Sequence, residues 1–141
     1  MSHLEEIREG IDQIYISDEW KAEVLSAIRL NDVEAPYAVR SSSTLEDGGS
    51  CSAAGIYESF CDVSEENLFQ KIKECWKSNF TVRSFCYENL EDNVDSKLLS
   101  MGGIIQKYLG EADFSGVIFS LNPVEPAEGA LVEFVSGTAE E

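Results

Sequence analysis

Tyr37-Ala38-Val39-Arg40-Ser41-Ser42-Ser43-Thr44-Leu45-Glu46-Asp47, followed downstream by Ser52-Ala53-Ala54-Gly55, is the stretch whose reading decides the fold. An apolar run over 36–41 reads as a short buried strand that delivers a single arginine into a series of small hydroxyl residues. Residues 43–52 read as a loop dense in Ser, Gly and Asp and free of Pro. Residues 54–61 then read as a second, weakly alternating strand. A guanidinium fork set beside backbone N–H groups at such a loop is how a protein surrounds a polyphosphate.

Upstream, Leu4, Ile7, Ile11 and Ile14 recur at spacings of three and four, which predicts a helix over 3–14. Trp20, Val24, Leu25, Ile28 and Leu30 repeat the pattern over 18–30, with Ser17 placed to cap it and Asn31-Asp32 to end it. Downstream, Ser64 stands before a third amphipathic run. Its apolar face is Leu68, Phe69, Ile72, Cys75, Trp76 and Phe80, with Lys71, Lys73 and Lys77 largely on the other side. A further helix is expected around Val82, Phe85 and Tyr87, and a polar loop from Glu91 to Lys97. Ile104–Leu109 and Val117–Ser120 are β-rich runs flanking Gly110-Glu111-Ala112-Asp113, which suggests an antiparallel hairpin between them. Ala130–Val135 reads as a last strand. Helices precede and interrupt the strands without strict alternation, so the expected class is α+β, mainly antiparallel sheet with packed helices.

The chain has 141 residues, enough for one domain or a piece of a larger one, and its hydrophobic content of 43% suits a globular protein. The net charge of −17 argues against nucleic acid and anionic membranes as partners. No stretch approaches the ~20 apolar residues of a membrane span. The N-terminus has neither the basic nor the apolar region of a signal peptide, so a cytoplasmic location is expected. Arg40 is the only cation near the hydroxyl-rich loop, because no other basic residue lies between it and Lys71. Cys51, Cys61, Cys75 and Cys86 form no CxxC pair, and His3 is the only histidine. No metal site is expected from these residues, Cys75 reads as a core thiol, and a hydrolase built on Ser-His-Asp or Cys-His has almost no material here. Ser41 and Ser42 read as turn-fixing residues for the same reason.

Four motifs in order carry a family resemblance over roughly residues 15–141. Ala38, Val39, Arg40, Ser41, Ser42, Thr44, Glu46, Asp47, Ala54 and Gly55 match, without a gap, a pattern Ala-Val-Arg-Ser-Ser-Ala-Thr-x-Glu-Asp, six residues, Ala-Gly. Cys75, Trp76, Ser78, Phe80 and Arg83 match a helix signature; Trp76, Ser78 and Arg83 read as structural. Ile105-Gln106 and then Ser115-Gly116-Val117-Ile118-Phe119-Ser120-Leu121-Asn122-Pro123 match a strand and a hairpin, and Val132–Gly137 a closing strand. Together these resemble the N-terminal ATP-grasp nucleotide-binding domain, in part, of the phosphoenolpyruvate synthase and pyruvate phosphate dikinase family. On that resemblance 1–141 is a single partial domain, with 1–35 a helical lead-in and 36–141 the motif-bearing region.

The resemblance implies ATP with Mg²⁺ as cofactor. Arg40 would contact the phosphates, Gly55 and Ser59 would form the phosphate-side loop, and Gln106, Lys107 and Leu109 would lie on the strand that faces the adenine. It also implies that phosphoryl passes to a histidine on another domain and then to pyruvate, so that the phosphohistidine and pyruvate-binding domains of a parent enzyme are the partners. A related phosphotransferase such as one acting on rifampin, and a non-catalytic interaction module of the same fold, are the alternatives. The chain departs from the family pattern at several points. Nothing before Arg40 resembles the family's lysine-bearing glycine-rich segment. Ala53 stands for Phe, Ile56-Tyr57 for Gln-Gln, and Asn122 for Asp. Gly137-Thr138-Ala139-Glu140 replaces Gly-Leu-Gly-Glu, and the acidic segment that holds the metal is not reached. The expectation is a piece of a longer enzyme, or a short relative of one, with no catalytic residue of its own and inactive alone.

Overall fold

Local periodicity forms the helices, and a strand central to the first sheet gathers them. A computed structural model describes residues 3–43, 55–84 and 101–137. The chain divides into two compact units, Met1–Tyr108 and Leu109–Glu141. In the first, α1 (His3–Gln13) and α2 (Asp18–Leu30) precede β1 (Tyr37–Ser43), β2 (Phe60–Val63), α3 (Leu68–Ser78) and β3 (Met101–Lys107). The second contains β4 (Phe114–Phe119) and β5 (Leu131–Ser136). Both sheets are antiparallel, which with the three helices gives the expected α+β class.

The ends of α2 are set by the residues that the sequence points to. The Ser17 hydroxyl accepts from the Trp20 amide at 3.2 Å, relieving one of the unpaired donors at the helix start. At the other end Asn31 donates its side-chain amide to the Ala27 carbonyl at 2.8 Å, and Asp32 takes a positive φ of +53°, which stops the helix. The third helix begins later than expected. Ser64 makes no side-chain cap; a 3₁₀ turn over Glu65–Asn67 intervenes, and α3 starts at Leu68. Ser64 instead accepts from the Asn67 side-chain amide at 3.1 Å. Past α3, Thr81 and Ser84 bond reciprocally, Ser84 Oγ accepting from the Thr81 amide at 3.0 Å and Thr81 Oγ1 from the Ser84 amide at 3.1 Å. That exchange opens a helical turn at 82–84. Phe85, Tyr87 and the expected loop from Glu91 to Lys97 lie outside the described residues, as does the loop at 44–54.

The first sheet has the order β2-β1-β3, so β1 is its central strand. The strand extends two residues beyond its expected end, and Ser41 and Ser42 therefore belong to the ladder and not to a turn. The second strand starts at Phe60 and not at residue 54, because 55–59 form a turn. Between the pairs Val39 with Phe60 and Tyr37 with Val63, β2 carries one more residue than β1. This is a bulge, and Asp62 within it adopts φ +54°. Nor does β3 form a hairpin with β4. It pairs with β1 along all seven residues, Tyr37 opposite Lys107 through Ser43 opposite Met101, while β4 pairs with β5. The β1 partnership prevails because it sets Ile105 beside Val39 against the helices, where both lose water contact.

Helices α2 and α3 cover one face of this sheet. Ile28, Tyr37, Val39, Val63, Leu68, Ile72 and Cys75 make the core, with Val39 and Leu68 fully enclosed. Trp20 meets Phe69 and Trp76 at ring separations of 6.0 and 6.2 Å, which locks α2 against α3. On α1, Asp12 receives Lys77 at 2.8 Å through its carboxylate and Lys73 at 2.9 Å through its carbonyl, which ties α1 to α3. Cys75 is a core thiol, as the sequence implies. It donates to the carbonyls of Val39 (3.7 Å) and Glu58 (3.4 Å), and burial, with the Glu58 and Glu74 charges adding to it, pushes its pKa up to about 11.

In the second unit β4 and β5 pair in register from Phe114 opposite Ser136 to Phe119 opposite Leu131. Phe114 and Phe134 stack edge to face at 6.2 Å on one side of this ribbon. Gly116 is required there, since a Cβ would run into the Glu133 carbonyl oxygen and sit 2.8 Å from the Phe134 Cα. Asn122 explains one departure from the family pattern. Its side-chain oxygen accepts from the amides of Val124 (2.9 Å) and Glu125 (3.1 Å), work that a carboxylate would do equally well.

Truncating Leu68 to Ala leaves a cavity at the centre of the first unit and is expected to cost about 2–5 kcal/mol in urea-unfolding free energy. The cysteines are expected to separate by reactivity. At about pH 8 the exposed Cys61 reacts with a disulfide reagent in the native protein, whereas Cys75 reacts only on unfolding. Cys61→Ser should therefore remove a fast-reacting thiol and Cys75→Ala should not; a fast phase lost in Cys75→Ala would refute the burial assigned to it.

Candidate functional site

Strand alternation decides which side chains can meet a ligand. Val39 and Ile105 point at the helices, so Ala38, Arg40 and Ser42 on β1, and Gly102, Ile104 and Gln106 on β3, lie on the opposite face. Arg40 stands directly across from Ile104, and Ala38 from Gln106, which makes Gln106 the diagonal neighbour of Arg40. All three larger side chains are exposed; Ile104 keeps 47% of its surface open. On the other flank the β1–β2 ladder ends at Val39 with Phe60, and Ser59 stands one residue before the start of β2. A guanidinium and an isoleucine thus form a row across β1 and β3, with an amide one step along and the Ser59 hydroxyl just outside the end of β2.

Arg40 makes no ion pair or side-chain hydrogen bond with another described residue; Glu46 and Asp47, the nearest carboxylates after it in sequence, lie outside the described residues. By contrast the neighbouring arginine on α2, Arg29, is engaged. It donates to Glu65 at 3.4 Å, and the same carboxylate accepts from the Tyr37 hydroxyl at 3.4 Å. Burial, followed by the charge of Glu65, raises the Tyr37 pKa above its ordinary value.

The remaining expected site residues divide. Gly55 takes φ +72°, a conformation that glycine reaches without strain, in the turn that leads to Ser59; space beside its Cα is open. Lys107 is on the other side of β3 from Arg40 and Gln106. It pairs with Tyr37 in the ladder and its Nζ approaches Glu34 at 4.0 Å. Its side chain is therefore not part of the row, although its backbone continues the strand that carries Gln106. Leu109 opens the second unit and is 86% exposed. Sequence reasoning placed Ile104 in a strand without giving it a role; its position opposite Arg40 depends on register, which no local pattern reports. Tyr57 stands where the family pattern has a glutamine. It is buried, and Ser43 donates to its phenolic oxygen at 3.3 Å, so its ring does not occupy the open face.

The face brings together a cation, an aliphatic side chain and an amide. A fork of permanently charged donors suits phosphate oxygens, an exposed aliphatic side chain offers an apolar bed for a base, and an amide can both donate to and accept from a purine edge. Among the described residues no helix is long and apolar enough to cross a membrane.

The family model described as the pyruvate phosphate dikinase AMP/ATP-binding domain matches residues 1–141. An uncharacterized phosphotransferase, YvkC, from Bacillus subtilis is 39% identical over 122 residues, covering 85% of this chain. A probable phosphoenolpyruvate synthase from Archaeoglobus fulgidus is 34% identical over 108 residues, 76% of the chain, and a rifampicin phosphotransferase from a Streptomyces species is 31% identical over 119 residues, 84% of the chain. The chain spans about 14% of the length of each of these relatives. With the motifs in order, the α+β fold in place and a family model matched from end to end, this chain belongs to the pyruvate phosphate dikinase AMP/ATP-binding domain family.

Proposed function

We propose that this chain supplies the ATP-binding surface of a phosphoenolpyruvate synthase-like phosphotransferase, as one partial domain with 1–35 as its helical lead-in and 36–141 as its motif-bearing region. The observation that carries the reading is the shared open face of Arg40 and Gln106, with the guanidinium unpaired among the described residues of a chain whose net charge is −17. A cation without a partner among the described residues, on an exposed face of so acidic a protein, is available to hold an anion.

In this reading Arg40 grips phosphate oxygens, the backbone near Gly55 and the Ser59 hydroxyl approach them from the β2 side, and Ile104 and Gln106 receive the base. Lys107 and Leu109 would contribute through the backbone of the strand and its exit. Mg²⁺ would accompany the phosphates and screen their charge, held by carboxylates outside this chain. The acceptor sequence we propose is a histidine on another domain of the parent enzyme and then pyruvate. The residues present fit the binding role; phosphoryl transfer is largely positioning and charge stabilisation, so a surface that only binds and orients ATP is a coherent share of that work.

An NMR titration of the labelled chain with Mg-ATP tests this. Saturable shifts are expected at Arg40, Gln106 and Ile104. Arg40→Ala should weaken binding about ten- to a hundredfold, the range for a lost charge-assisted contact, while Lys107→Ala, whose side chain faces away, should stay within about threefold. A well-folded chain that shows no shifts at millimolar ATP would leave the non-catalytic interaction module as the better reading. Transfer to rifampicin and not pyruvate in a full-length relative carrying this domain would keep the ATP surface and move the acceptor.

A further inference from the structure

We infer that Tyr57 is a positioning residue for the phosphate side of this surface, an inference that rests on the ATP reading above. Its aromatic ring is buried, with 7% of its surface exposed, and its phenolic oxygen accepts a hydrogen bond from Ser43 at 3.3 Å. Ser43 ends β1, three residues past Arg40, and Tyr57 lies two residues past Gly55 and two before Ser59. The bond therefore joins the strand that carries the guanidinium to the turn that carries the expected phosphate-side residues. A second tie holds the same turn from below. The next residue, Glu58, gives its carbonyl to the Cys75 thiol, which also donates to Val39 beside Arg40.

The two ties have a common consequence. Ladder pairing between β1 and β2 stops at Val39 with Phe60, so nothing in the ladder fixes residues 55–59 against Arg40. Tyr57 and Cys75 supply that fix, one at each side of the turn's last residues. A polyphosphate gripped by Arg40 from one strand and by backbone donors near Gly55 from the turn is sensitive to small displacements between them. A bare nucleoside, which has no phosphate to bridge the two, is not. Tyr57 acts in this arrangement through the turn and not by touching the ligand, which is also why an apolar ring is acceptable where the family pattern carries an amide.

The test compares ATP with adenosine on the same chain by NMR titration, using Tyr57→Phe to keep the ring and remove the hydroxyl. Ser43→Ala removes the bond from the other partner and serves if the first variant folds poorly. The expected result is a loss of about two- to tenfold in ATP affinity, adenosine affinity within about twofold of wild type, and a double variant no weaker than either single one. Equal losses for ATP and adenosine would make Tyr57 a general packing residue, and an unchanged ATP affinity would remove any role; either overturns the inference while leaving the nucleotide surface standing. A wild-type chain that binds neither ligand would sink the ATP reading itself, and the role of Tyr57 with it.

Discussion

The enclosure of Val39 is the constraint on which the first unit depends. This residue has no exposed surface, lying on the central strand beneath α3 and between two antiparallel neighbours. Because side chains alternate along a strand, committing Val39 to the core commits Arg40 to the far face. The pairing of Val39 with Ile105 fixes β3 in the register that puts Ile104 and Gln106 there too. A one-residue slip of β1 would turn the arginine into the core, and one of β3 would turn Gln106 inward in place of Ile105; either buries a polar group at a cost. Burial of one valine thus sets the chemistry of the opposite surface.

Electrostatics sharpens the contrast between the two faces. The helical side uses its cations structurally: Lys71 pairs with Glu74 at 2.6 Å, Lys73 and Lys77 bind Asp12, and Arg29 meets Glu65. Exposed pairs of this kind contribute little to stability individually, but they satisfy the charges within the helical layer. Arg40 takes no part in that pattern. Its charge remains available on a sheet face whose other members are small, aliphatic or amide side chains.

Glycine and the substitutions around it illustrate how the family pattern can change without disturbing geometry. Gly55 and Gly116 sit where backbone conformation or close strand approach demands them, at φ +72° in one case and against the β5 backbone in the other. Asn122 differs from the family residue yet performs the same turn closure through its oxygen. Ile56-Tyr57 differs in polarity, but the burial of Tyr57 places its apolar surface inside and not on the face that carries Arg40.

What the sequence determined by itself is what short-range physics can encode. Helices α1, α2 and α3 follow from apolar spacing, the Ser17 cap from its hydroxyl, and the core place of Cys75 and Trp76 from their position on an amphipathic face. Arg40 stands out as a candidate because an arginine entering a hydroxyl-rich loop is an unusual local pattern, and the motifs in order carried the family. The tertiary structure alone decided strand partnership and facing. Adjacent strands with a glycine-bearing connection look like a hairpin, yet β3 pairs with β1, far away in sequence, because that non-local contact buries Ile105 with Val39. The same register brought Ile104 into the row opposite Arg40, and the folding of the 55–59 turn against β1 tied Tyr57 to Ser43. None of these could be read from neighbours in the chain, since each depends on which distant surface excludes water.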